Sequence, residues 1–244
     1  MYIYHETVNG ERHYYINIDY KEQAAPKTMF EMPLQETRKL SFESLHFVAF
    51  EQVVLLGVLF QSGDAFHGNY NRFLEYVGIT NRTENVQRLK EAIDFLVSKD
   101  ILIFTPDDSA PGWFVMAVKR SFQEEIGITM ERVNECRKIA DSAGLVGYKG
   151  WNDVLKIWLA IEFLSQGYQD DDVYITNGMI EDATGLDEKR IIQVKKALIN
   201  SNKLLGDKGF RVNKNGDLRC MGTNYKLNVI EEGNGEVSQG TFDF

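Results

Sequence analysis

Two glycine–apolar steps, Gly78-Ile79 and Gly185-Leu186, constrain this chain more than any other feature. Each separates a short amphipathic segment from a longer one: residues 69–77 from Arg82–Ser98, and residues 177–184 from a segment that begins after Asp187 and runs to about Asn202. A glycine between two helical patterns supplies the left-handed turn that lets them meet at a steep angle, and the apolar residue after it plugs the corner. Each long segment is followed by two β-rich stretches around turn residues. These are Ile101–Phe104 and Trp113–Val118 around the run from Pro106 to Gly112, then Phe210–Val212 and Leu218–Met221 around Asn215-Gly216. Each short segment is preceded by an apolar stretch that reads as a buried helix, Ser41 to about Phe60 and Trp151–Gln166. The whole order returns after about 105 residues, with the echoes Lys90–Ile93 and Lys195–Leu198 at matching places, which is the pattern of an internal repeat.

Local signals fill in the remainder. Asn81 can cap the Arg82–Ser98 helix, with Glu84 completing a capping box, and Asp187 is a natural N-cap for its counterpart. Residues 128–144 predict a helix with Val133, Cys136, Ala140 and Ala143 on one side. His46, on the apolar 41–60 helix, reads as a core residue. Residues 1–20 alternate on either side of Asn9-Gly10, a pair that accepts the positive φ of a tight hairpin turn. Residues 21–35 hold two of the four prolines and read as a connector.

Charge narrows the function classes. The chain carries 27 Lys+Arg against 36 Asp+Glu, a net charge of −9, so its whole surface is not suited to coating nucleic acid. The charge is segregated, however. Residues 187–226 hold ten basic and four acidic side chains, whereas residues 81–120 hold six of each. No apolar run reaches the ~18–20 residues of a membrane helix, since Gln52, Gly57 and Gln61 interrupt the best candidate. Two cysteines make no disulfide framework, and residues 1–10 have no signal-peptide core, so a reduced, cytoplasmic globular protein is expected. The histidines lack metal spacing and no phosphate-cradling glycine loop occurs. Asp170-Asp171-Asp172 reads as a solvated loop and Cys136 as a packing residue. The expectation is therefore a non-enzyme without cofactor or metal.

Helix, short helix, glycine turn, long helix and two-stranded ribbon resemble winged helix-turn-helix domains. The stretch from Thr176 to Leu205 is similar to DnaD-type phage and plasmid replication initiators; its end, Ala197-Leu198 to Lys203-Leu204-Leu205, lacks those families' usual glycine. The resemblance implies a mainly α fold with small β wings (α+β). It divides into a hairpin and connector (1–35), a first winged helix (36–122), a connecting helix (123–149), a second winged helix (150–230) and an acidic tail (231–244). It implies binding to double-stranded DNA, in replication initiation or transcription regulation.

With Ile191, Val194 and Leu198 inward, the second long helix turns Lys189, Gln193, Lys196, Asn200 and Lys203 outward, and Arg190 adds to its charge. Glutamine and asparagine pair with adenine, and lysine with guanine or phosphate. Arg211 and Lys214 fall on the ribbon, where backbone contact is expected. The first long helix turns out Glu84, Arg88, Glu91 and Phe95, a face better suited to protein contact than to phosphates. The rival expectation is an acidic protein-binding module: a chromosome-complex scaffold or a phage-encoded inhibitor of a host system. A homodimer is expected from the lone hairpin and the pairing habit of such DNA readers. Gln239, Phe242 and Phe244 resemble a sliding-clamp-binding peptide, a route to a replication-machinery partner.

Overall fold

The computed structural model describes residues 2–8, 11–17, 28–32, 37–61, 64–119, 125–166, 175–212 and 218–227. It is a mixed α+β fold of helices with small antiparallel sheets. Strands β1 (Tyr2–Val8) and β2 (Glu11–Asn17) pair in register from Tyr2↔Asn17 to Val8↔Glu11, as the alternation predicts; the turn dipeptide lies outside the described residues.

The first repeat is framed by a ribbon absent from the sequence reading. Strand β3 (Thr37–Ser41) pairs with β7 (Glu125–Thr129), bringing together the entry and exit of the unit. Between them lie a 3-10 turn (Phe42–His46), α1 (Ala49–Leu59), β4 (Ala65–Gly68), α2 (Tyr70–Tyr76), α3 (Thr83–Ser98), β5 (Leu102–Pro106) and β6 (Phe114–Val118). β6 is the centre of a three-stranded sheet in the order β4-β6-β5. The expected helix from Ser41 is thus corrected: helix begins only at Ala49, where the Val48 N–H donates to the Glu51 carboxylate at 3.0 Å. His46, expected in the core, is exposed on the 3-10 turn. Asn81 is not the cap of α3 either; Arg82 holds that position, and Glu84 pairs with Arg88 instead. Gly78 adopts φ +72 and Ile79 is buried behind it, as a corner between α2 and α3 requires.

Helix α4 (Met130–Ser142) buries Val133, Cys136 and Ala140, while Ala143 lies beyond it and is exposed. Then come α5 (Gly147–Gln166), α6 (Asn177–Thr184), α7 (Glu188–Asn200), β8 (Leu204–Val212) and β9 (Leu218–Leu227). Helix α5 starts before the expected Trp151 and the ribbon strands are longer than expected. Helices α1 and α5 pack on each other, and each has a stretch buried all round: Gln52–Leu59 in α1 and Gly150–Ile161 in α5. One continuous apolar cluster runs through both repeats, from Met29 to Leu204. Burial at about 25 cal/mol per Å2 makes this shared core the main source of stability. The two repeats therefore share one core.

Candidate nucleic-acid interface

The second helix pair is built from local signals. Thr176 caps α6 by accepting the Met179 N–H at 3.2 Å. At its other end Gly185 sits at φ +66, and its N–H donates to the Glu181 carbonyl at 2.7 Å. A side chain there would be strained, so the turn needs glycine. Asp187 then caps α7, accepting the Arg190 N–H at 2.9 Å. Ile191, Val194 and Leu198 are fully buried, anchoring α7 against α5 and α6.

This anchoring turns Lys189, Gln193, Lys196 and Asn200 to the exposed side of α7. The sequence reading of that face holds for these four. Two other cations assigned to it are tied inward. Arg190 is half-buried, with Nε 2.6 Å from the Asp153 carboxylate of α5 and Nη1 donating to Gln193 Oε1 at 3.0 Å. Lys203 Nζ is 2.5 Å from Glu135 of α4 and lies over the Trp158 ring. Lys195, part of the basic stretch, is buried and donates to Asn177 Oδ1 at 2.6 Å, while Asn177 donates to Glu188. These bonds fix the attitude of α7 and remove Arg190, Lys195 and Lys203 from the free charge of its face. Arg211 lies on β8 opposite Arg219, and Lys214 lies outside the described residues. So do Asp170–Asp172 and the tail residues Gln239, Phe242 and Phe244.

Beside this face runs a groove between the Gly185–Asp187 turn and the Phe47–Ala49 start of α1. Val48 and Val146 are exposed at its rim and Lys149 is exposed on its α5 side. Lys156, buried, also lines the groove, and its Nζ donates to the Phe47 carbonyl. Burial pushes the Lys156 ammonium down to about 8, against the pull of Asp153 and Glu51. The same burial raises the Asp153 carboxyl, with Arg190 and the nearby lysines pulling it back.

A stability trend follows. Between about 8 and the ordinary 10.5 the folded chain has released the Lys156 proton while the unfolded chain still holds it. The folded state then binds fewer protons, so the burial cost is fully present below pH 8 and is relieved as pH rises to 10.5. Urea midpoints are expected to rise over that window by up to roughly 3 kcal/mol of unfolding free energy. In Lys156→Met this rise should vanish. A midpoint that responds to pH identically in both proteins would contradict the assignment.

The first repeat presents a different surface. On α3, Glu84 and Arg88 pair at 2.5 Å and Gln87 donates to Glu91 at 3.0 Å, so these polar groups are satisfied by one another. Phe95 is not the exposed contact expected: it is half-buried, edge-on to Phe47 with ring centroids 5.4 Å apart. The sequence reading also missed a polar knot on the β5–β6 connection. His67 Nε2 is 2.7 Å from Asp107, which also accepts from the Ser109 backbone and hydroxyl. The Ser109 bonds, then His67, hold the Asp107 carboxyl down to about 2. Cys136 is buried, and burial pushes its thiol up, out of reach of nucleophilic use at neutral pH. Among the described residues no group of three His, Cys, Asp or Glu side chains is placed to hold a metal, and no helix is long and apolar enough to cross a membrane.

No protein-family model, curated protein or solved structure matches the chain.

Proposed function

We propose that this protein binds double-stranded DNA through α7, as the reading helix of a winged helix-turn-helix domain. The observation that carries the reading is the alignment of Lys189, Gln193, Lys196 and Asn200 on the exposed side of a helix held by a left-handed glycine turn and an aspartate cap. Such side chains hold phosphates or read base edges from a helix lying in the major groove. Element order supports the same domain type. In the first repeat, helix, strand and two helices run into a hairpin, and β6 of that hairpin lies between β4 and β5 in one sheet. In the second, α5, α6 and α7 run into the β8–β9 ribbon, which carries Arg211. Arg190 and Lys203 act by holding α7 rather than by touching DNA.

The first repeat, whose α3 face has its one arginine paired with Glu84, serves as the platform on which the second is mounted. A homodimer reading two half-sites would serve either replication initiation of the phage or plasmid kind or transcription regulation. Electrophoretic mobility of random duplex DNA at low and moderate salt tests the reading. A retarded complex that weakens with salt is expected. Absence of any complex at low salt would instead favour a protein-binding scaffold.

A further inference from the structure

The face of α7 has a composition that selects among base pairs. At about 100° per residue, Lys196 is its centre, Lys189, Asn200 and Gln193 fan out on one side within about 60°, and Ile192 and Ile199 on the other. Ile192 and Ile199 remain 40% and 39% exposed, two turns apart on one edge of a helix whose other apolar residues are buried. The face holds no available arginine, because Asp153 keeps the Arg190 guanidinium. The commonest bidentate reader of guanine is thereby withdrawn. That same guanidinium donates to Gln193 Oε1, which orients the amide and leaves its N–H2 and a second Oε1 lone pair outward. This edge matches the N7 acceptor and N6 donor of adenine. The isoleucines offer what no phosphate or guanine edge uses, an apolar contact for the thymine methyl group.

We infer that α7 selects A·T base pairs in the major groove, with Gln193 on adenine and Ile192 against a thymine methyl; this rests on the DNA-binding reading above. Lys189 and Lys196, strongly hydrated point charges, hold the flanking phosphates.

The full chain is used to capture duplexes from a random pool, and the recovered core is then resynthesised with deoxyuridine replacing thymidine, which removes only the C5 methyl. Recovered cores rich in A·T pairs are expected. The native chain should bind the deoxyuridine duplex about fourfold more weakly, the worth of one buried methyl-sized group. Ile192→Ala should bind both duplexes equally, a result that a merely structural defect does not produce. Gln193→Ala should lose roughly tenfold on the recovered core and little on random duplex. Recovered cores dominated by G·C pairs would overturn the inference while leaving DNA binding intact. So would a native chain indifferent to the methyl, or an Ile192→Ala variant that still discriminates. Capture of no duplex at all removes the DNA reading itself, and this inference with it.

Discussion

Reversing two lysines, Lys189→Glu together with Lys196→Glu, is expected to abolish duplex binding at moderate salt. Both side chains are exposed on α7, free of the ion pairs that hold Arg190 and Lys203. A phosphate at about 4 Å attracts each by ~1 kcal/mol in water, and reversal replaces that attraction with a repulsion of similar size. The change is then roughly 4 kcal/mol in all, or about a thousandfold at 1.4 kcal/mol per decade. Folding should be untouched, since neither side chain contributes to the core. The matching reversals on α3, Arg88→Glu and Lys90→Glu, should do far less. Fluorescence anisotropy with a labelled duplex measures all three proteins, the native chain and the two double variants. Loss of binding in the α3 variant and retention in the α7 variant would mean that the two repeats have been assigned the wrong way round.

Gly150→Ala is expected to be the most damaging small substitution in the second repeat. A Cβ at this position of α5 would lie 1.9 Å from the Leu145 carbonyl oxygen and 2.5 Å from its carbon. The obstacle is backbone, not the tip of a flexible side chain. Leu145 is buried, and its N–H is bonded to the Ala140 carbonyl at 2.8 Å, so the α4–α5 corner has no easy way to retreat. A loss of about 3 kcal/mol, the upper end of what overpacking costs, follows from forcing a backbone shift in a packed corner. Gly178→Ala is the control: it is also helical, but its added Cβ would meet nothing nearer than Thr176 Oγ1 at 3.7 Å. That variant should stay within about 1 kcal/mol of the native protein. Urea unfolding of the pair settles the matter, and equal stability of the two would contradict the closeness of the corner.

What could be read from the sequence was local. Gly185 and Asp187 announce the turn and the cap because each satisfies a requirement of the backbone within a few residues. The exposed face of α7 follows from its periodicity once Ile191, Val194 and Leu198 are placed inward. Non-local pairings left no comparable trace. Strand β3 is recognisable only through β7, and Ala65–Gly68 is too short to signal a strand until β6 supplies its partner. The apolar run from Ser41 hides a break at His46–Val48, because nothing in its pattern marks where the 3-10 turn gives way to α1.

The same limit applied to the site. Composition shows that residues 187–226 are basic, but not that Asp153 and Glu135, on other helices, take two of those charges. Phe95 reads as outward on a wheel and is covered by Phe47, a residue from outside the helix. The structure therefore leaves the candidate face with fewer free cations than the sequence suggests.

The salt dependence of duplex binding, compared between the native chain and Lys196→Ala, tests the central claim most directly. Binding through phosphates releases counterions, so log K should fall linearly with log salt for the native protein. Removing the lysine at the centre of the α7 face should flatten that slope by about 0.9, while Arg88→Ala on α3 leaves it unchanged. A slope that Lys196→Ala does not alter, or a native chain that binds no duplex at low salt, would contradict DNA binding through α7.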